Sequence, residues 1–175
     1  MNVANRSLKP MVDFHLQSGI KHVVRSNLQD MEQAKMHDVA SINREIVYEF
    51  EVMESMLQHR ILREMYNAQR ILDVGCGDGD LVSYLARSPK KEVTGLDISD
   101  SGFDKALAKA ARYGISNLVR CVKGDAQHPS RYFKNEEFDA VTMIYTLHHL
   151  HQPVRALQEL GRILKPDGRI LIVAC

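Results

Sequence analysis

Residues 70–80 read RILDVGCGDGD. The apolar run Ile71-Leu72-Asp73-Val74 leads directly into Gly75, Gly77 and Gly79, glycines at every second position. An apolar run closing on a glycine-rich turn predicts a buried strand whose exit loop approaches a nucleotide. Most such loops hold phosphates, yet this one is crowded by Asp73, Asp78 and Asp80. A dinucleotide loop reads G-x-G-x-x-G/A, its last small residue letting helix and strand pack closely. Here the sixth position is Asp80, and the third glycine comes one place early. No G-K-S/T follows, so the phosphate loop of nucleoside triphosphatases is excluded as well. A pyrophosphate would meet like charges, whereas a cationic ligand without phosphate would not. Glycine suits such a ligand because it lets the backbone come close.

Working outward, residues 70–175 alternate. RILDVG, KEVTGLDI, NLVRCVKGDA, FDAVTMIYT and RILIVA read as strands. DLVSYLARS, SDSGFDKALAKAARYG and QPVRALQELGRILKPDG read as helices, with a short turn at HPSRYF. Ser or Asp is available to start the second helix and Gly114 to stop it. Pro153 stands near the first turn of the third, and Pro-Asp-Gly closes it. Strands alternating with helices of this length build βαβ units and a parallel sheet, and apolar strand runs suit a sheet covered on both faces.

Residues 1–68 differ. Ser41 is placed to cap a long helix, SINREIVYEFEVMESMLQHRILREMY, with Ile42, Ile46, Phe50, Met53, Leu57, Ile61 and Met65 on one face. A shorter helix is expected over about 28–39 and another from near Pro10. The methionines Met31, Met36, Met53, Met56 and Met65 read as core packing ahead of an adaptable lid. The division is thus an N-terminal helical extension, 1–68, and a sheet domain, 69–175.

The chain has 175 residues, 45% apolar and 26% charged, with a formal net charge of +1. That length suits one domain with an appendage. No basic field exists to gather nucleic acid or an anionic membrane, and no apolar run approaches the ~20 residues of a membrane span. The N-terminal MNVANRSLKPMVDFHLQ lacks the apolar core of a secretory signal. Cys76, Cys121 and Cys175 form no CxxC pair, so a zinc site is not expected and a reducing, cytoplasmic setting is.

On these residues the chain resembles the class I S-adenosylmethionine-dependent methyltransferases. Asp73-x-Gly75-x-Gly77-x-Gly79 matches their first motif, and S-adenosylmethionine carries a sulfonium and an ammonium group and no phosphate. The resemblance implies a Rossmann-like, doubly wound α/β sheet with S-adenosylmethionine as cofactor and S-adenosylhomocysteine as product. It places Asp97, followed by Ile98, on the ribose hydroxyls, at about the ~20-residue offset of a ribose-binding acid. It places Asp125 and Ala126 of KGDAQ beside the adenine. Asp73 is expected to orient the loop backbone, and Cys76 and Tyr145 to border the cofactor.

Methyl transfer is an in-line displacement with a neutral leaving group, so orientation carries most of the catalysis, up to ~7–11 kcal/mol in favourable cases. Candidates for a base follow the fourth strand: Tyr145, Thr146, His148, His149 and His151. His149, His148 and Tyr145 are the catalytic candidates, although exposed or structural histidine is the favoured reading and metal binding by the three histidines is disfavoured. Ile144-Tyr145-Thr146-Leu147 lacks the amide and paired prolines of the DNA amino-methylating branch. A small-molecule acceptor is expected, with no nucleic acid and no membrane. The alternative is a catalytically incomplete cofactor-binding subunit or regulatory module that needs a partner.

The family sheet has seven strands, the last two a hairpin, and this sequence stops at Cys175 after five. The fifth-strand edge is expected to pair with a second copy or a partner, slightly ahead of truncation; cover by the N-terminal segment is the third reading. The N-terminal helices are expected to cap the acceptor side, with Tyr48, Phe50 and Tyr66 near it. Deleting residues 1–40 should then weaken acceptor use more than cofactor binding. Equal loss of both, measured by turnover and by calorimetry, would instead indicate a role in folding.

Overall fold

The computed structural model describes the backbone of residues 39–89 and 91–174, and side chains within that range from residue 51. The expected helices near Pro10 and over about 28–39, with Met31 and Met36, lie outside the described residues, as do the side chains of Tyr48 and Phe50. The chain divides into two compact units, Met1–Glu54 and Ser55–Cys175. Helix α1 (Val39–Glu64) is already under way at Val39, so Ser41 lies inside it. Residues 39–54 of α1 belong to the first unit.

In the second unit the end of α1 keeps its predicted stripe. Leu57, Ile61 and Met65 recur every fourth residue and are all buried. The wider methionine expectation holds only in part, since Met65 is fully buried and Met56 is 68% exposed. Lys91 terminates the helix. Its Nζ donates to the carbonyls of Met65 at 2.7 Å, Tyr66 at 3.0 Å and Ala68 at 2.6 Å. These carbonyls lie in the turn that follows Glu64, where Met65 O also accepts Ala68 N–H at 3.0 Å, and an ammonium with three donors is suited to them. Burial pulls the Lys91 pKa down, with Asp139 opposing.

Five parallel strands follow: β1 (Arg70–Val74), β2 (Glu92–Asp97), β3 (Val119–Lys123), β4 (Phe138–Ile144) and β5 (Leu164–Val173). Their order is β3-β2-β1-β4-β5. The intervening helices are α2 (Asp80–Ala86), α3 (Phe103–Arg112) and α4 (Pro153–Ile163), with 3-10 turns at Pro129–Arg131 and Leu147–His149. The expected α/β doubly wound sheet is therefore present. One core cluster joins Ile61 and Met65 of the α1 end to Ile71, Val82, Leu85, Val93 and Ala110. A second joins Leu72, Val74, Leu96, Val141 and Met143 to Leu160 and Ile163 of α4. Two clusters on a central β1 are what a sheet covered on both faces requires.

Three details depart from the expected pattern. Helix α3 starts after Gly102, without a side-chain cap from a Ser or Asp. A Cβ on Gly102 would lie 2.4 Å from the Gly77 carbonyl oxygen, so close docking on the glycine loop sets that residue. The Pro-Asp-Gly turn is folded into β5. Phe138 pairs with Leu164 and Ala140 with Arg169, which makes Lys165–Gly168 a bulge. Beneath the sheet, Asp139 accepts the backbone N–H groups of Gln69 at 2.9 Å and Arg70 at 2.7 Å and pairs with Lys165 at 2.6 Å. Among the described residues no helix is long and apolar enough to cross a membrane.

Lys91→Met keeps the buried stem and removes the donors from three carbonyls. The expected loss is about 1–3 kcal/mol in urea unfolding. No loss would show that water replaces the ammonium at no cost.

Candidate cofactor site

In an open parallel sheet the strand exits at the carboxyl edge form the ligand crevice. Here the N–H groups of Gly75, Cys76 and Gly77 in the β1 exit loop all go to the end of β2. The Leu96 carbonyl accepts Gly75 N–H at 2.7 Å and Cys76 N–H at 3.3 Å. One Asp97 carboxylate oxygen accepts Gly77 N–H at 2.9 Å, and the other accepts Ser99 N–H at 3.0 Å. The parallel register of β1 and β2 sets Val74 beside Leu96, which brings loop donors to these acceptors.

Gly75, Gly77 and Gly79 all have positive φ, at 75°, 49° and 72°. Two of them show distinct needs. A Cβ on Gly75 would lie 2.1 Å from Thr146 Oγ1, a hydroxyl that donates to Val74 O at 3.1 Å or Ile144 O at 3.0 Å. Gly75 is therefore packed against the β4 exit. Gly77 is exposed, with nothing within 4 Å of where its Cβ would stand. Its surface is open to a ligand, and a side chain there would occupy that space.

The acids of the loop have divided roles. Asp78 pairs with Lys105 at 2.8 Å, and Asp80 with Lys109 at 2.5 Å. Lys109 also donates to the Asp78 carbonyl at 3.0 Å. The Lys105 hydrogen bond holds the Asp78 carboxyl below its usual range. Neither acid serves as a helix cap, since Gly79 precedes α2 without a side-chain cap. Helix α3 thus neutralises much of the negative charge that sequence alone credits to the loop. The spacing argument against a phosphate stands; the charge argument reduces mainly to Asp97.

Asp73 is buried below the loop and accepts the Thr142 hydroxyl at 2.7 Å. That bond ties β1 to β4, whereas the loop N–H groups of Gly75, Cys76 and Gly77 go to β2. Burial, with Asp97 adding, pushes the Asp73 carboxyl up to about 7 against the Thr142 hydrogen bond. Cys76 turns inward. A Cβ on Gly95 would meet its Sγ at 2.6 Å, and burial, then Asp73, raises its pKa. Only its backbone is available at the loop.

Asp125 and Ala126 follow β3. One Asp125 oxygen accepts Gln127 N–H at 2.8 Å and the other faces His128 Nδ1 at 3.0 Å. Partial burial raises the Asp125 pKa, but these hydrogen bonds outweigh it and the net shift is downward. Ala126 packs on the second core cluster. Ile98, after Asp97, is 74% exposed, an apolar side chain left in solvent beside a polar one. Tyr145 is exposed with φ 53°, a conformation uncommon for a bulky residue, and its N–H donates to Val173 O at 2.8 Å. His148 and His149 are exposed on the turn that follows, their rings 4.0 Å apart, and His151 is also exposed. Among the described residues, no group of three or more His, Cys, Asp or Glu is arranged to hold a metal ion.

The strand exits therefore gather Gly77, Asp97, Ile98, Asp125 and Tyr145 along one edge, while Asp73 and Cys76 lie beneath it. Each Asp97 oxygen accepts one backbone N–H and keeps capacity for another donor, as a pair of ribose hydroxyls would supply. The donor set fits a nucleoside with hydroxyls and cationic groups. His128, which the sequence did not single out, is brought back to Asp125 by a turn in which its N–H donates to Asp125 O at 3.0 Å. A depression of about 430 Å³ lies elsewhere, lined by Glu136, Arg162, Lys165 and neighbours at the opposite ends of β4 and β5.

A sequence profile described as a methyltransferase domain matches residues 72–172, more than half of the chain. A ubiquinone/menaquinone biosynthesis C-methyltransferase, UbiE of Vibrio cholerae, is 28% identical over 151 residues, covering 79% of this chain. The chain spans 57% of that relative's length. A crystal structure of a SAM-dependent methyltransferase from Aquifex aeolicus superposes with a TM-score of 0.59 at 26% identity, covering 67% of this chain and 63% of that one. The crystal structure of the cyclase SpnF does so at 0.58 and 28%, covering 65% and 43%.

Because the folded state keeps the Asp73 proton to about pH 7 and an unfolded carboxyl loses it near 3.8, the folded state binds more protons between those values. The stability this residue contributes is complete below pH 3.8 and is lost as pH rises to about 7. The slope is at most ~1.4 kcal/mol per pH unit. Asp73→Asn should flatten that fall in urea titrations across the window. Parallel curves for the two proteins would show that Asp73 is ionised when folded.

Proposed function

The chain belongs to the class I S-adenosylmethionine-dependent methyltransferase family, and from that premise we propose that it transfers a methyl group to a small-molecule acceptor. The observation that carries this reading is the Asp97 carboxylate. It is fixed by Gly77 and Ser99 N–H groups beside an open glycine surface. When bound, S-adenosylmethionine supplies a methyl group on a sulfonium, open to in-line displacement by the acceptor.

The chain's residues bind and orient. Asp97 receives the ribose hydroxyls, the exposed Ile98 lies on the adenine face, and Asp125 and Ala126 border the adenine edge. The Gly75–Gly77 backbone gives the close approach that the amino-acid end needs. Asp73 holds β1 and β4 together under that backbone. Tyr145 borders the cofactor where the acceptor enters. An acceptor that loses a proton would find imidazole nitrogens of His148 or His149 at the same mouth; one that does not needs no base. A small acceptor is supported by the name of the Vibrio relative and by the lack of any basic field.

A second reading is a cofactor-binding module that does not itself methylate or that needs a partner; a similar chain named for a cyclisation rather than for methyl transfer supports the first half of it. Calorimetric titration with S-adenosylmethionine and S-adenosylhomocysteine tests the first. Asp97→Ala and Asp97→Asn should weaken both about tenfold to a hundredfold, as expected for hydrogen bonds to a charged group. Unchanged affinity in folded variants would remove the ribose assignment. Turnover of a small-molecule panel by the wild type supports methyl transfer; binding without turnover points to the module.

A further inference from the structure

The β3 exit is held with more precision than a connecting loop needs. Gly124 N–H donates to the Asp97 carbonyl at 2.8 Å. The Tyr132 ring leaves no room for a side chain at Gly124, where a Cβ would stand 2.6 Å from the ring. Asp125 N–H reaches the Tyr132 hydroxyl at 3.3 Å. With its backbone held, Asp125 retains only its side-chain rotations. Two donors remove these: Gln127 N–H on one oxygen at 2.8 Å and His128 Nδ1 on the other at 3.0 Å. Gln127 is anchored in turn, its Oε1 accepting Gln152 N–H at 2.8 Å just before α4.

His128 has a second acid near it, Glu159 of α4, but that carboxylate is engaged by the Ser130 hydroxyl and by Arg162 at 2.6 Å. An ionised carboxylate only accepts, so the His128 nitrogen facing Asp125 carries the hydrogen. The His128 and Asp125 side chains are 24% and 33% exposed, partly sheltered yet open to a ligand.

We propose that His128 is a positioning residue for cofactor recognition. Its Nδ1–H holds the Asp125 carboxylate in the orientation that receives the amino group of the adenine. This rests on the reading that Asp125 borders the adenine. A carboxylate fixed in advance does not have to be ordered when the ligand arrives, so its hydrogen bond contributes more to selectivity. His128 itself touches no reacting atom. A histidine that merely supported the Pro129–Arg131 turn would alter stability and leave selectivity for the amino group unchanged.

The test is calorimetry on the full chain with S-adenosylhomocysteine and its 6-deamino analogue, alongside thermal unfolding. Wild type should prefer the amino form by about tenfold or more. His128→Leu and His128→Ala should bring that ratio close to one with little change in affinity for the analogue. His128→Gln, which keeps a donor, should retain most of it. Folded Leu or Ala variants with the full wild-type ratio overturn the proposal. If the Leu variant does not fold, Ala against Gln decides. A wild type that binds both ligands equally, while Asp97→Ala still weakens binding about tenfold or more, overturns the placement of Asp125 at the adenine and the role of His128 with it. A wild-type preference that persists in Asp125→Ala does the same.

Discussion

Two residues at the end of β2 hold most of the site. Leu96 and Asp97 accept N–H groups from Gly75, Cys76 and Gly77 of the β1 loop, from Ser99 of their own exit, and from Gly124 of the β3 exit. Loop donors left unpaired in a crevice would carry a desolvation cost of about 1–3 kcal/mol each. Pairing them with a central strand turns three separate exits into one surface. The geometry follows from the parallel register, because neighbouring strands that run the same way end at the same edge of the sheet.

Electrostatics are arranged around that surface in layers. Asp73 sits beneath, buried, its carboxyl pushed up to about 7 so that it keeps its proton well above the usual carboxylate range. Asp78 and Asp80 face outward and are matched by Lys105 and Lys109 of α3. Asp97 and Asp125 remain at the crevice, each already holding protein N–H donors. The crevice therefore presents two positioned carboxylates rather than a diffuse acidic patch. Position favours selectivity, since a fixed acceptor distinguishes a hydroxyl pair or an amine from groups that merely carry charge.

Much of this was legible along the chain because it is local. The strands, the stop at Gly114, Pro153 at the start of α4, and the buried Leu57, Ile61 and Met65 all follow from neighbours within a few residues. The misses share a cause. A Ser or Asp near residue 100 is a sound cap on local grounds, but Gly102 is forced by the approach of the Gly77 carbonyl. The Pro-Asp-Gly turn is a sound helix stop, yet it becomes a bulge once β5 has to pair with β4. Asp78 and Asp80 read as free acids until α3 brings its lysines alongside.

The sequence by itself determined the fold class, the glycine loop and the acids of the strand exits, because periodicity and glycine spacing act through the backbone next to them. Tertiary structure alone decided which acids face the crevice, which are neutralised and which partner each one has. Asp73 and Thr142 lie 69 residues apart, and Asp78 and Lys105 lie 27 apart. A pairing at such distances leaves no local trace, because it exists only once the sheet has set its strands side by side and α3 has docked on the loop.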